Sequence, residues 1–231
     1  MKPYLLKWWW VALFAAAFAW VESAVVVYLR DIFFNGNFSF PLVVMWDAGR
    51  QVVSPLIKIE FGREIATIIM LIAVGWMSGT NRVQKFSFFM IAFGIWDIFY
   101  YVWLWVMVGW PESLLTWDLL FYVPLPWVGP VITPILIALT MTAAGTALIV
   151  LDENGIRIKW RWYDPVVEFF FALLMIISFC MDWKNIIQIP GDPAHTGLPN
   201  PFAWWLYIPA LLLSILYFCL RLKHFISDSR D

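Results

Sequence analysis

The chain has few charged residues and very few side chains that bind transition metals. Only 13% of its 231 residues are charged, whereas soluble domains usually carry about 25%. It contains two cysteines and two histidines, and none of them lies in a CxxC motif or in a Cys/His spacing typical of zinc. The formal net charge is -1, and there is no basic arm of the kind that nucleic-acid-binding proteins use. These absences argue against a soluble domain, a zinc site, a disulfide scaffold and a nucleic-acid partner.

Recognisable cofactor and catalytic motifs are also missing. His195 lies in a Pro/Gly-rich connection and His224 near the C-terminus, so neither is placed for haem ligation inside a helical bundle. There is no Ser-His-Asp order, nucleophile elbow, HExxH motif or phosphate-binding glycine loop. A site made only of carboxylates would suit a hard cation, but calcium prefers about 6–8 oxygen ligands. We therefore predict no haem, no zinc and no other metal site, and we leave the cofactor unassigned.

Apolar residues dominate what is present. Hydrophobic residues make up 63% of the chain and the mean hydropathy is +0.79, values typical of an integral membrane protein. A membrane-spanning helix needs about 20 mostly apolar residues. Six segments approach this length: approximately 8–29, 61–79, 84–108, 128–151, 165–183 and 202–221. The first has no clear small-residue cleavage site, so we interpret it as an uncleaved span. The sequence predicts an all-α integral membrane protein, with residues 1–231 forming a single polytopic domain of about six transmembrane helices.

The distribution of basic residues predicts the orientation. With the N-terminus inside, ten of the 15 Lys and Arg residues fall in cytoplasmic segments and five in outer ones. The ten are Lys2, Lys7, Arg82, Lys85, Arg157, Lys159, Arg161, Arg221, Lys223 and Arg230. Because cytoplasmic loops carry the excess of positive charge, we expect both termini to be cytoplasmic. We expect the membrane to be a bacterial or archaeal plasma membrane, the cell inner membrane where there are two.

Three outer connections are longer than the cytoplasmic ones. Residues 30–60 and 110–127 mix apolar, aromatic and polar residues with prolines, and residues 188–205 are rich in Pro and Gly. The first two are too interrupted to span the membrane and too apolar for solvated loops. We therefore predict interfacial or re-entrant helices that cap the outer side of the bundle.

Several ionisable residues interrupt these apolar segments at a similar depth. Asp97 lies within GIWDIFYYVWLWVMVGW, and the helical rise places it, Glu22 and Glu64 roughly two-thirds of the way across the membrane. An ionisable group in this position costs at least about 2.5–3.5 kcal/mol unless it is paired or reaches water. We expect Arg63 to neutralise Asp97 and Glu64. The predicted outward-facing polar pocket consists of Glu22, Glu60, Arg63, Glu64, Asp97, Tyr100, Tyr101 and Asp118.

The pocket is open to two interpretations, a salt-bridge network that fixes helix packing or a functional site. No characterised family is recognised in these motifs. Our first expectation is a non-enzymatic subunit of a membrane complex or a ligand-binding protein, in contact with membrane lipids and with other membrane protein subunits. A second is a proton- or cation-coupled carrier that uses Asp97 and Glu64, for which Glu168 is the obvious polar residue nearer the cytoplasm. A third is an intramembrane enzyme acting on a lipid headgroup or an isoprenoid from the outer leaflet, with Asp97 and Glu64 as catalytic candidates.

Overall fold

The chain is mostly helical. The computed structural model describes residues 3–34, 36, 38, 46–47, 52–53, 55–121, 125–182 and 200–228. These described ranges are mostly helical and contain six helices. The helices are α1 (Pro3–Phe34), α2 (Pro55–Ser78), α3 (Arg82–Val108), α4 (Ile132–Glu153), α5 (Asp164–Cys180) and α6 (Trp204–Asp228). Five of these described helices are long and apolar enough to cross a membrane, whereas α5 has 17 residues and falls just short of that group.

Each predicted span overlaps one helix, but several boundaries were wrong: α2 begins at Pro55 and α6 ends at Asp228, where we predicted 61 and 221. The first helix continues to Phe34, beyond the predicted end at residue 29. No helix-breaking residue occurs before Gly36, which has a positive φ of 75° and donates its N–H to the Arg30 carbonyl at 3.0 Å. The fourth helix begins at Ile132, not at residue 128, because Trp127–Pro130 form a strand.

Two short hairpins occupy connections in which we predicted interfacial or re-entrant helices. Strand β1 (Trp46–Asp47) pairs antiparallel with β2 (Val52–Val53), and β3 (Trp117–Phe121) pairs with β4 (Trp127–Pro130). For these residues the prediction of helix was wrong. Backbone groups away from water must find partners, and pairing two aromatic-rich strands satisfies them as well as a helix does. Within the connection 30–60, the structure describes only the ends of α1 and α2, Gly36, Phe38 and the two short strands. The other residues of this connection, and residues 188–199, lie outside the described residues.

Successive helices run antiparallel. The Gln84 amide at the start of α3 donates to Asp152 and Glu153 at the end of α4, at 2.8 and 3.0 Å. Arg221 near the end of α6 pairs with Asp164 at the start of α5, at 3.1 Å. We call this end of the bundle the basic end. Its described Lys and Arg residues are Lys7, Arg82, Lys85, Arg157, Lys159, Arg161, Arg221 and Lys223. The opposite end, where the β3–β4 hairpin lies, is called the cavity end, because the cavity described in the next subsection lies there.

The middle of the bundle is apolar. Ala15 and Ala19 of α1, Leu71 of α2, and Ile91 and Ala92 of α3 are fully buried in one hydrophobic cluster. These five side chains are small or aliphatic, so the helices approach closely and none of the five brings a polar group that would need a partner.

Glycines allow α3 and α4 to approach closely. A Cβ atom on Gly94 would collide with the Thr142 hydroxyl and the Ala138 carbonyl, whereas Gly62 of α2 has open space at the same position. We expect Gly94→Ala to lower the free energy of unfolding by about 1–3 kcal/mol, because the backbone of α4 would have to move. The matched change Gly62→Ala should raise it by about 0.5–1 kcal/mol. Denaturant unfolding in detergent measures both, and equal stability of the two variants would refute close α3–α4 packing.

Candidate functional site

An ion-paired cluster joins α1 and α2 at the cavity end. Arg63 donates from Nε to Glu60 Oε2 at 2.9 Å, and its two terminal nitrogens pair with Glu60 and with Glu22. Thr67 donates its hydroxyl to the second oxygen of Glu22 at 3.2 Å. Glu22 and Glu60 are only 8% and 7% exposed. Arg63 therefore bridges two buried carboxylates through its planar fork of donors, and these contacts fix α2 against α1.

A second polar cluster joins the β3–β4 hairpin to α1 and α3. Asp118, which is 2% exposed, accepts a hydrogen bond from the Tyr101 hydroxyl at 3.1 Å. It also accepts from the Leu119 N–H at 2.8 Å and lies 3.9 Å from the Arg30 guanidinium. Burial raises the pKa of Asp118 to about 6, although the charge of Arg30 and the two hydrogen bonds act in the opposite direction. These contacts hold the hairpin onto the helices.

A third group of polar side chains, on α3, has no such partners. Within the described part of the chain, neither the Asp97 carboxylate nor the Tyr100 hydroxyl has a side-chain hydrogen bond or an ion pair. Trp96 is only 4% exposed, and its indole N–H also has no acceptor there. Trp96 and Tyr100 are one helical turn apart and Asp97 lies between them, so the three share one region of the helix surface. Asp97 is half-buried.

All three clusters border one cavity of about 160 Å³. This volume corresponds to roughly five water molecules. Its polar lining residues are Glu22, Arg30, Glu60, Arg63, Glu64, Asp97, Tyr100 and Tyr101. Four carboxylates thus face two guanidinium groups, and Asp118 adds a further acid behind Tyr101. Counted as formal charges, the lining is therefore net negative, and a negative lining favours cations over anions.

The remaining walls of the cavity are apolar and largely aromatic. They consist of Val26, Leu29, Phe93, Trp96, Leu119, Leu120, Phe121, Trp127, Pro134, Ile137 and Phe179. Aromatic faces attract organic cations through their quadrupoles. Among the described residues, no group of three His, Cys, Asp or Glu side chains is arranged to hold a metal ion. The donor set therefore suits an ammonium group better than a metal ion.

Glu168, the acid that we placed nearer the cytoplasm, is separate from this cavity. It lies one turn along α5 from Asp164 at the basic end, and Ser214 of α6 donates to its Oε2 at 2.6 Å. Glu168 is not among the residues that line the cavity. The apolar cluster of α1, α2 and α3 occupies the level between the cavity and the basic end.

Seven of the eight residues that we assigned to a polar pocket line this cavity, and Asp118 lies behind Tyr101. The partners differ from our expectation, because Arg63 pairs with Glu22 and Glu60 and not with Asp97. Sequence reasoning missed Arg30, which we counted as a loop charge because we ended α1 one residue before it. It also missed the hairpin residues that close the cavity, of which Trp127 is one; two short apolar stretches separated by prolines were the available signal.

The fold and the site define a helical protein with apolar helices of membrane-spanning length and an acidic cavity with aromatic walls at one end. A comparison with protein-family models, curated proteins and solved structures found no match to this chain. The site is therefore interpreted from its own geometry.

Proposed function

We propose that this is an integral membrane protein that binds a small organic cation in the cavity, with Asp97 as the main anionic contact. Six helices span the membrane, both termini are cytoplasmic, and the cavity opens toward the outer side. In this arrangement α5, about 26 Å long, is the sixth span, at the short end of the usual range. The single observation that carries the proposal is that Asp97 lines a negatively charged cavity without a partner among the described residues.

The contrast between the clusters supports a binding role over a purely structural one. In a network that only fixed helix packing, the charged groups would form ion pairs with one another, as Arg63 does with Glu22 and Glu60. Asp97 forms no described hydrogen bond or ion pair that would fix helix packing, yet an ionisable group at this depth is costly. A ligand cation offsets that cost when it is bound.

Binding is also better supported than transport or catalysis. A carrier needs a second polar layer that continues the path toward the other side. The described residues beneath the cavity include an apolar cluster, and the Ser87 and Thr146 hydroxyls near that level donate to carbonyls of their own helices. Glu168, on α5, does not extend the cavity. Asp97 could also act as a general acid or base, but cation binding needs only the charge and the cavity lining that are described, whereas catalysis needs a reacting group that the geometry does not identify.

Butylamine, which is protonated at neutral pH, tests the proposal. We expect it to bind the purified full-length protein in phosphatidylcholine nanodiscs and to raise the midpoint of thermal unfolding. At about 100 times its Kd, a ligand that binds only the folded state contributes about 2.7 kcal/mol. Butanol, similar in size but uncharged, is the control and should have no such effect. Equal effects of the two compounds, or no effect of either, would refute a cation site.

A further inference from the structure

An apolar groove lies on the other side of the cavity wall. It has a volume of about 450 Å³ and is lined mainly by Ile98, Val102 and Trp105 of α3, Leu114, and Ile135 of α4. Trp105 and Val102 are 63% and 39% exposed. Because α3 has the length and composition of a membrane span, this face lies against lipid acyl chains in the arrangement proposed above.

Tyr101 lies at the boundary between the groove and the acidic cavity. Tyr101 lines both, whereas its neighbours on α3 divide between them, Tyr100 lining the cavity and Val102 the groove. The Tyr101 ring lies 4.9 Å from the Tyr100 ring, and its hydroxyl is held by Asp118 at 3.1 Å. A rotation of this side chain would break its hydrogen bond to Asp118 and its ring contacts with Tyr100 and Trp110, and it would remove the ring from the boundary between the two spaces.

We propose that the ligand is a lipophilic amine that enters sideways from the bilayer through this groove, with Tyr101 as the movable partition. This inference rests on the proposed function. The ammonium group would reach Asp97, and the hydrocarbon chain would extend past Tyr101 into the groove. The Trp96 indole N–H has no described acceptor although the side chain is only 4% exposed, and it would donate a hydrogen bond to an oxygen next to the amine.

The physical chemistry of the two spaces supports this ligand class. Moving a hydrocarbon chain from lipid into an apolar protein groove changes its surroundings little, so the groove admits chains without selecting strongly among them. Selection then comes from the ammonium group, which finds surplus carboxylate and aromatic faces in the cavity. An amphiphilic amine satisfies both spaces at once, whereas a fully hydrated inorganic cation would gain nothing from the groove.

Chain length and a blocked groove test the inference. The full-length protein in phosphatidylcholine nanodiscs is loaded with tritiated butylamine, which dodecylamine then displaces. Val102→Trp fills the groove, and Val106→Trp, one turn further along α3 and 55% exposed, is the matched control. We expect Val102→Trp to raise the dodecylamine concentration for half-displacement about tenfold, as overpacking would. Butylamine affinity should be the same in both variants and in the wild-type protein.

The outcomes separate the two proposals. Unchanged displacement by dodecylamine in Val102→Trp would overturn entry through the groove, while retained butylamine binding would leave the cation site intact. No butylamine binding by the wild-type protein would overturn both. A thermal unfolding curve for each variant confirms that it is folded.

A second readout uses Tyr101→Phe, which removes the hydrogen bond to Asp118. This variant should speed dodecylamine dissociation about fivefold. An unchanged dissociation rate would exclude Tyr101 as the partition.

Discussion

Arg63→Ala is expected to lower the free energy of unfolding by about 3–5 kcal/mol, which is what removing one partner of a buried ion pair costs. The substitution leaves Glu22 and Glu60, 8% and 7% exposed, without the guanidinium that both of them contact. The carboxylates must then be protonated or drawn toward water, and either change separates α1 from α2. Denaturant unfolding of the detergent-purified protein measures the loss.

Two controls make this result specific. Lys58→Ala removes an exposed cation from the same helix and should change stability by less than about 0.5 kcal/mol. The double variant Arg63→Ala with Glu22→Gln should recover part of the loss, because it removes one of the stranded charges. If Arg63→Ala were as stable as Lys58→Ala, the ion-paired cluster would not hold the helices together.

Asp97→Asn is expected to behave in the opposite way, abolishing ligand binding while the protein stays folded. Truncating one partner of a buried charge pair between protein and ligand costs about 2–5 kcal/mol, so butylamine affinity should fall at least about thirtyfold. Stability without ligand should be unchanged or higher, since asparagine keeps the shape and removes a charge that has no described counter-charge. Binding in nanodiscs and unfolding in detergent measure the two quantities separately.

Glu112→Gln is the matched control for this variant. It makes the same chemical change in an exposed carboxylate beyond the end of α3, outside the residues that line the cavity. Its butylamine affinity should equal that of the wild-type protein. A similar loss of affinity in Glu112→Gln and Asp97→Asn would show that butylamine responds to overall charge and not to a site.

Much of the fold and most residues of the site could be predicted from the sequence, but not all of the contacts between those residues. Apolar segment length and depth along a helix depend on local sequence, so six helical segments and the shared level of Glu22, Glu64 and Asp97 could be predicted. The pairing of Arg63 with Glu60, three residues away on α2, follows from helical spacing. Its pairing with Glu22 depends on how far α1 and α2 rotate about their axes, which no single segment encodes.

The hairpin and the groove show a second limit. Whether residues 117–130 pair as strands depends on a partner segment and on burial by Phe179 and Phe202, which a Cβ atom on Gly129 would meet at 3.1 Å. Local composition, rich in tryptophan and proline, suits an interfacial helix equally well. The position of Tyr101 between two spaces follows from that tertiary arrangement, so the proposed side entrance could not be predicted from the sequence.

The most direct test is intact-complex mass spectrometry of wild-type protein and Asp97→Asn, each extracted in mild detergent from the membrane in which it is made. The bound molecules are released from the purified protein and treated with isotopic dimethylation reagents. The label shows which of the released molecules carry a primary amine. We predict a wild-type protein that retains one amine-bearing molecule and an Asp97→Asn protein that lacks it. The same bound molecule on both proteins, or a stoichiometric protein partner with no small molecule on either, would contradict a cation site at Asp97 and favour a structural subunit.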